Sequence, residues 1–312
     1  MMILTVTLNP LLNKTYLIPH FVPGSVHWAE HGIAAPGGSG INIARTLQHL
    51  SIPTRTTGIL GGHIGRLIAA KLEKESIPQN FVWIEDQSCL SISIIDSEGQ
   101  THTHITEPSP IVPQKTYREL QAKLAELAPL CRWVVFSGVP PLRAPVDIFF
   151  LLIKTAAERG AKVFLATEGP WLEAGIKAKP DLLQLTWPQF LRLVGPCYST
   201  VQAAKAARGL TRRGIKHVIV STGGKGVLAV SGDKAYFSRS VSTAENSDSH
   251  RFGDVLTAGL LAELSQGRDF PTALHWGLAA AAASTTELDP IRFDLGLAEQ
   301  YKAKITLNEI PY

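Results

Sequence analysis

A chain of 312 residues with 45% hydrophobic content can bury a sizeable core, enough for one large α/β domain and a small appendage. Its formal charge of +4 is modest and its basic residues are dispersed, Arg212-Arg213 being the nearest thing to a cluster, which argues against nucleic acid as a partner. The three cysteines, Cys89, Cys131 and Cys197, lack paired close spacing, which points to a reducing compartment and away from a disulfide framework or a zinc site.

Strand-like and helix-like stretches alternate along the chain, as expected of a parallel sheet flanked by helices. Residues 3–8 read as the first strand, and Asn9-Pro10 ends that apolar run too early for a targeting or membrane segment. Residues 13–35 and 87–106 hold short alternating stretches, among them Ser91-Ile92-Ser93-Ile94-Ile95 and Thr101-His102-Thr103-His104-Ile105, which predict a small β-sheet lid. Pro36-Gly37-Gly38-Ser39-Gly40 is a glycine-rich turn that feeds a helix, with Ile41, Ile43, Ala44, Leu47 and Leu50 facing a core. Residues 55–60, 133–137, 162–166, 182–185 and 217–221 are further strands, and 117–127, 146–159, 201–209 and 255–264 are helices. The proline-rich 108–113 is a rigid connector, and the apolar 278–283 is a helix too short to span a bilayer. The core is expected to comprise 1–12, 36–86 and 107–312, and the lid 13–35 and 87–106.

Arg251-Phe252-Gly253-Asp254 opens the last of those helices. An Asp at a helix start can take a proton from an attacking hydroxyl, while the preceding amides and the helix dipole stabilise charge on a transferred phosphoryl group. The competing reading makes Asp254 a helix cap alone. A further glycine cluster, Ser221-Thr222-Gly223-Gly224-Lys225-Gly226, follows a strand, where backbone can approach a ligand closely. His102 and His104 share one strand face, with His31 on the other lid segment. Without a Cys or carboxylate partner at motif spacing they are read as a polar face and not a metal site.

In this order the motifs resemble the ribokinase-like (PfkB) carbohydrate kinases, and within them the branch of 1-phosphofructokinases and tagatose-6-phosphate kinases. Leu4 to Pro10 is similar to the branch's first strand and Asn-Pro turn, and Pro36 to Asn42 to its Gly-Gly signature. Glu107-Pro108-Ser109-Pro110 and Phe136-Ser137-Gly138 are similar to its sugar-side strand ends, and Gly253-Asp254 to the end of its Gly-Ala-Gly-Asp signature. The resemblance implies a three-layer ribokinase-like fold with a mainly parallel sheet, a β-sheet lid, ATP and Mg2+. It implies catalysis by Asp254, Gly253 and Arg251 and substrate contacts from Asn13, Gly37, Gly38, Ser39, Asn42, Glu107 and Ser137. Nucleotide contacts would come from Ser221, Thr222, Gly223, Gly224 and Gly226.

Several family positions are altered. Asn13 stands for an Asp that grips sugar hydroxyls, Ser39 for a lysine, and Ser88-Cys89-Leu90-Ser91-Ile92-Ser93 for a lid stretch that carries cations. Thr186-Trp187-Pro188-Gln189 replaces an Asn-x-x-Glu motif that organises magnesium, Glu168 takes the place of an Asp, and Arg251-Phe252 fill a turn suited to small residues. Two functions are therefore expected to compete: an ATP-dependent sugar kinase with Asp254 as general base, and a silent relative that binds a small molecule or partner. The missing cations predict a small-molecule substrate without a phosphate. The uncovered lid predicts a homodimer, and the location is expected to be the cytoplasm.

Overall fold

A computed structural model describes residues 2–239, 249–285 and 291–311. The chain opens with β1 (Met2–Thr7), β2 (Leu11–Leu17), β3 (His31–Gly37), α1 (Ser39–His49), β4 (Thr54–Gly61), α2 (Gly62–Lys74), β5 (Val82–Ile84), β6 (Cys89–Asp96) and β7 (Thr101–Thr106). It continues through α3 (Gln114–Leu127), β8 (Cys131–Ser137), α4 (Ile148–Glu158), β9 (Lys162–Ala166), α5 (Gly169–Lys177), β10 (Leu182–Thr186), α6 (Trp187–Val194), α7 (Thr200–Thr211) and β11 (His217–Ser221). The described elements end with β12 (Val227–Ser231), β13 (Lys234–Ser238), α8 (Ser249–Ser265), α9 (Phe270–Ser284), α10 (Leu295–Lys304) and β14 (Asn308–Ile310).

The large sheet has the order β14-β13-β12-β11-β10-β9-β8-β1-β4-β5. Pairing is parallel from β11 through to β5, while β12, β13 and β14 add antiparallel strands at one edge. Period-two alternation sends each strand's side chains into two cores. On β8, Val134 and Phe136 join Leu120 and Leu124 of α3 and Phe149 and Leu152 of α4. Trp133 and Val135 face the other way, toward Ile43 and Leu47 of α1 and toward α8 and α9. Both faces of the sheet are thus covered by helices, which explains its near-continuous apolar strands.

The small sheet has the order β3-β2-β6-β7, with β2 and β6 parallel, so two segments far apart in sequence are stitched together by Leu11↔Cys89 through Leu17↔Ile95. Asn13, Ser91 and Thr106 lie side by side in register, and so do Thr15, Ser93 and His104, giving one polar face. The rings of His102 and His104 are 4.0 Å apart, whereas His31 sits at the far edge, three strand spacings or about 14 Å from His102.

One expectation about the helices is corrected. The helix containing Asp254 already runs at Ser249, so Asp254 is not at its mouth. Past the first turn, backbone amides bond the carbonyl four residues back, so Gly253 and Asp254 offer no helix-start amides of their own and the cap reading of Asp254 does not hold. No helix among the described residues is long and apolar enough to cross a membrane.

Candidate active site

Four neighbouring parallel strands, β8, β9, β10 and β11, end on one side of the large sheet at Ser137, Ala166, Thr186 and Ser221. Carboxyl ends of parallel strands are where open α/β sheets bind ligands. A cavity of about 1190 Å3 lies there, lined by these residues and by Ser39, Glu168, Gly223, Gly224, Gly226, Gly253 and Asp254 among others.

Asp254 is 6% exposed and meets α1 across the cavity floor. Ser39 donates its hydroxyl to Asp254 Oδ1, and Asn42 Nδ2 donates to Asp254 Oδ2 at 2.9 Å. Ser39 and Asn42 are three residues apart on a helix and therefore share a face. Ser39 Oγ also lies 2.5 Å from Ser137 Oγ. The approach of α1 depends on Gly38, whose φ of 100° suits glycine, and an added Cβ there would lie 3.1 Å from Thr7 Cγ2.

The glycine cluster after β11 forms a short 3-10 turn over Gly223–Lys225, tied back by Thr222 Oγ1 donating to the Gly226 carbonyl at 2.7 Å. Added Cβ atoms at Gly223 and Gly224 would meet nothing within 4 Å, so this backbone faces open space. Gly226 instead has φ 129°, and a Cβ there would come within 2.0 Å of the Ser238 carbonyl oxygen. The loop can therefore present backbone to a phosphate chain at the cavity wall.

Other expected residues lie off the cavity wall. Asn13 is on β2 and packs against Gly37, where a Cβ would come within 2.2 Å of Asn13 Nδ2. Glu107 is exposed, and its Oε2 accepts the Leu90 amide at 2.9 Å. Arg251 sits three residues before Asp254 on α8.

Sequence reasoning missed Gln184, Thr257, Arg192 and Arg239, all of which line the cavity. Thr257 Oγ1 lies 2.7 Å from Gln184 Oε1 and 2.8 Å from the Gly253 carbonyl oxygen, which Gln184 Nε2 also reaches at 3.2 Å. Gln184 thus braces the turn of α8 that carries Asp254. A strand glutamine among Leu182, Leu183 and Leu185 was the one available signal, since a polar residue in a buried parallel strand needs a partner.

The donor set for magnesium can be tested directly. Gln189 Oε1 accepts the Thr186 backbone amide at 2.8 Å, which turns that oxygen into the start of α6. Glu168 is an exposed carboxylate on the cavity wall. Magnesium is commonly held by one or two carboxylates together with substrate phosphates, so the residues present fit it through Glu168.

Known proteins align with this architecture. The family described as pfkB family carbohydrate kinase matches residues 10–293. The 1-phosphofructokinase of Bacillus subtilis (strain 168) is 25% identical over 284 residues, covering 91% of this chain and 92% of that protein. The 1-phosphofructokinase of Xanthomonas campestris pv. campestris is 30% identical over 269 residues, covering 84% and 83%. Among solved structures, one described as a possible 1-phosphofructokinase from Thermotoga maritima superposes with a TM-score of 0.88 at 26% identity, covering 100% of both chains. Phosphofructokinase-2 from Escherichia coli in complex with substrates and products has a TM-score of 0.89 at 21% identity, covering 97% of this chain and 99% of that one, which speaks to the fold.

These relatives overturn the expectation of an acceptor without a phosphate, because their names specify a phosphosugar. That expectation counted cations only at Ser39 and over residues 88–93. Charge around a ligand depends on what converges in space, and other elements contribute: Arg192 and Arg239 line the cavity. The three-layer fold, the lid sheet and the matched span together establish that the chain belongs to the pfkB family of carbohydrate kinases.

Proposed function

We propose that this protein transfers the γ-phosphoryl group of ATP to a hydroxyl of a phosphorylated sugar, with Asp254 as general base. The observation that carries this reading is a buried carboxylate, oriented by two side-chain donors, in the same cavity as an open glycine loop. The Asp254 carboxylate accepts the proton of the attacking hydroxyl as its oxygen bonds to the γ-phosphorus, while the bond from that phosphorus to the β–γ bridging oxygen breaks and ADP leaves. The Gly223 to Gly226 turn cradles the donor's phosphates, and Ser221 and Thr222 flank it. The cavity residues Arg192 and Arg239 add positive charge where phosphates gather, and Arg251, off the cavity wall in the first described turn of α8, adds to that field from a greater distance. Glu168, together with the phosphates, would hold magnesium, which would supply neutralisation of charge on the transferred group.

On the sugar side, Asn13, Gly37, Gly38 and Glu107 belong to the lid and its junction with the core, and we assign them to acceptor binding. Residues 13–35 and 87–106 act as the cover that excludes water from the reaction. We place the protein in the cytoplasm as a lid-paired dimer, a reading supported by three free cysteines and by apolar side chains exposed around the lid. The silent-binder alternative draws no support from relatives named as kinases.

The test is transfer of phosphate from Mg-ATP to a panel that includes fructose 1-phosphate, tagatose 6-phosphate, fructose 6-phosphate and their unphosphorylated sugars, with ATP binding followed by calorimetry. Saturable turnover of a phosphosugar supports the proposal. Absence of both ATP binding and transfer in folded protein overturns it.

A further inference from the structure

We propose that Ser39 is a positioning residue for Asp254, holding its carboxylate oriented toward the cavity through the Ser39 hydroxyl. The inference rests on the reading of Asp254 as general base. Ser39 occupies the first turn of α1, yet its hydroxyl does not serve that helix: the N-cap is Gly38, without a side-chain cap bond. It points instead across the molecule to Asp254 Oδ1, 215 residues away in sequence.

The polarity of the chain of hydroxyls follows from proton counting. An ionised carboxylate only accepts, and a serine has one proton to give. With its proton on Asp254, Ser39 must accept from Ser137, so the order of donation is Ser137 to Ser39 to Asp254. Asn42 donates to the other oxygen at 2.9 Å. Every one of these donors favours the charged carboxylate, and together they hold both of its oxygens in place. Ser39, Ser137 and Asp254 all line the cavity, so the oriented carboxylate faces the space an acceptor hydroxyl would enter.

The other groups facing Asp254 are unchanged by a substitution at residue 39. Gln184 and Thr257 are neutral, Glu168, Arg192 and Arg239 share the cavity, and Arg251 lies on the same helix. A change in pH behaviour on losing Ser39 therefore reports the loss of its bond.

The experiment compares the intact protein with Ser39→Ala and Ser39→Thr, using Mg-ATP and fructose 1-phosphate. In Ser39→Ala, kcat should fall about tenfold or more while KM for the phosphosugar changes less than about threefold, and the acid limb of kcat should move to higher pH. Ser39→Thr, which keeps a hydroxyl, should recover most of kcat. A Ser39→Ala enzyme with kcat and acid limb unchanged, or with its loss wholly in KM, overturns the proposal. Isotope-edited infrared spectroscopy of the Asp254 carboxylate, identified by its loss in Asp254→Asn, reads the same bond without turnover. If the intact protein proves inactive, the functional reading fails. The positioning role is then still decided, because the Asp254 band must titrate at higher pH in Ser39→Ala and an unmoved titration overturns it.

Discussion

The amide oxygen of Gln189 accepts the backbone amide of Thr186 at 2.8 Å, while the Thr186 side chain accepts the Gln189 backbone amide, so the two residues close a capping box at the start of α6. This pair stands at the ends of the stretch that replaces the magnesium-organising Asn-x-x-Glu motif of the resembled family. Both residues line the cavity, but neither brings a carboxylate to it and the Gln189 oxygen is occupied by the helix start, so the exposed carboxylate on this wall for a cation is Glu168.

Gln189→Glu should therefore bring a carboxylate to this wall without disturbing α6, since one Glu oxygen can close the capping box while the second is available to a cation, and its charge suits a helix N-terminus. The magnesium concentration that gives half-maximal phosphate transfer should fall by roughly tenfold, with the melting temperature little changed. A titration of rate against magnesium decides it, and an unchanged midpoint would show that this position does not contribute.

Asp254→Asn should reduce turnover by roughly a hundredfold or more, the usual scale for losing a general base. The fold should survive, because the Asn oxygen can still accept from Ser39 and the side chain of Asn42 can turn to present its own oxygen to the new amide. Steady-state rates and thermal melts measured together separate the two effects. Turnover that persists in Asp254→Asn removes this carboxylate from the mechanism.

Stability should depend on pH through His217. Its ring stacks on Phe270 at 4.4 Å, its Nδ1 lies 2.8 Å from Ser231 Oγ, and burial lowers its pKa from 6.5 to about 4. The unfolded chain binds the proton first, so this contribution is present above about 6.5 and is lost as pH falls toward about 4. The shift corresponds to roughly 3 kcal/mol at most. Urea midpoints should fall across this window, and His217→Phe, which keeps the stack, should flatten the dependence. Equal slopes in both proteins would assign the acid sensitivity elsewhere.

Around the lid, Trp28 is 90% exposed and Val26 88%, and Ile105 on β7 is 55% exposed. We propose that a second copy of the chain covers these exposed apolar side chains. Sedimentation at micromolar concentration should show twice the mass of the 33.8 kDa chain, and Trp28→Asp should shift it toward monomer. A monomer at every concentration would refute lid pairing.

Much of the core was legible in the sequence because its signals are local. Residues 162–166 and 217–221 are strands with the expected bounds, and the alternation of apolar strands with amphipathic helices specified a parallel sheet covered on both faces. Glycines at strand ends marked the ligand side, since a turn's backbone conformation depends on the few residues within it. The three antiparallel edge strands were less visible. β14 pairs with β13 from more than seventy residues away along the chain.

The site itself was only half specified. Asp254, Ser39 and Ser137 could be named as candidates from motif order, but their hydrogen bonds join residues separated by 215 and 98 positions, and no periodicity encodes a partner at that distance. The same holds for charge. Counting cations at Ser39 and over residues 88–93 predicted an acceptor without a phosphate, whereas Arg192 comes to the cavity on α6 and Arg239 from beyond β13. The start of α8 at Ser249 was likewise beyond local reading, because tertiary packing can extend a helix past residues whose intrinsic preference is weak. Sequence alone thus determined the parallel strands at the centre of the sheet, their covering by helices and the family resemblance. Tertiary structure decided which side chains meet, because such meetings depend on where separate elements cross after the chain has folded.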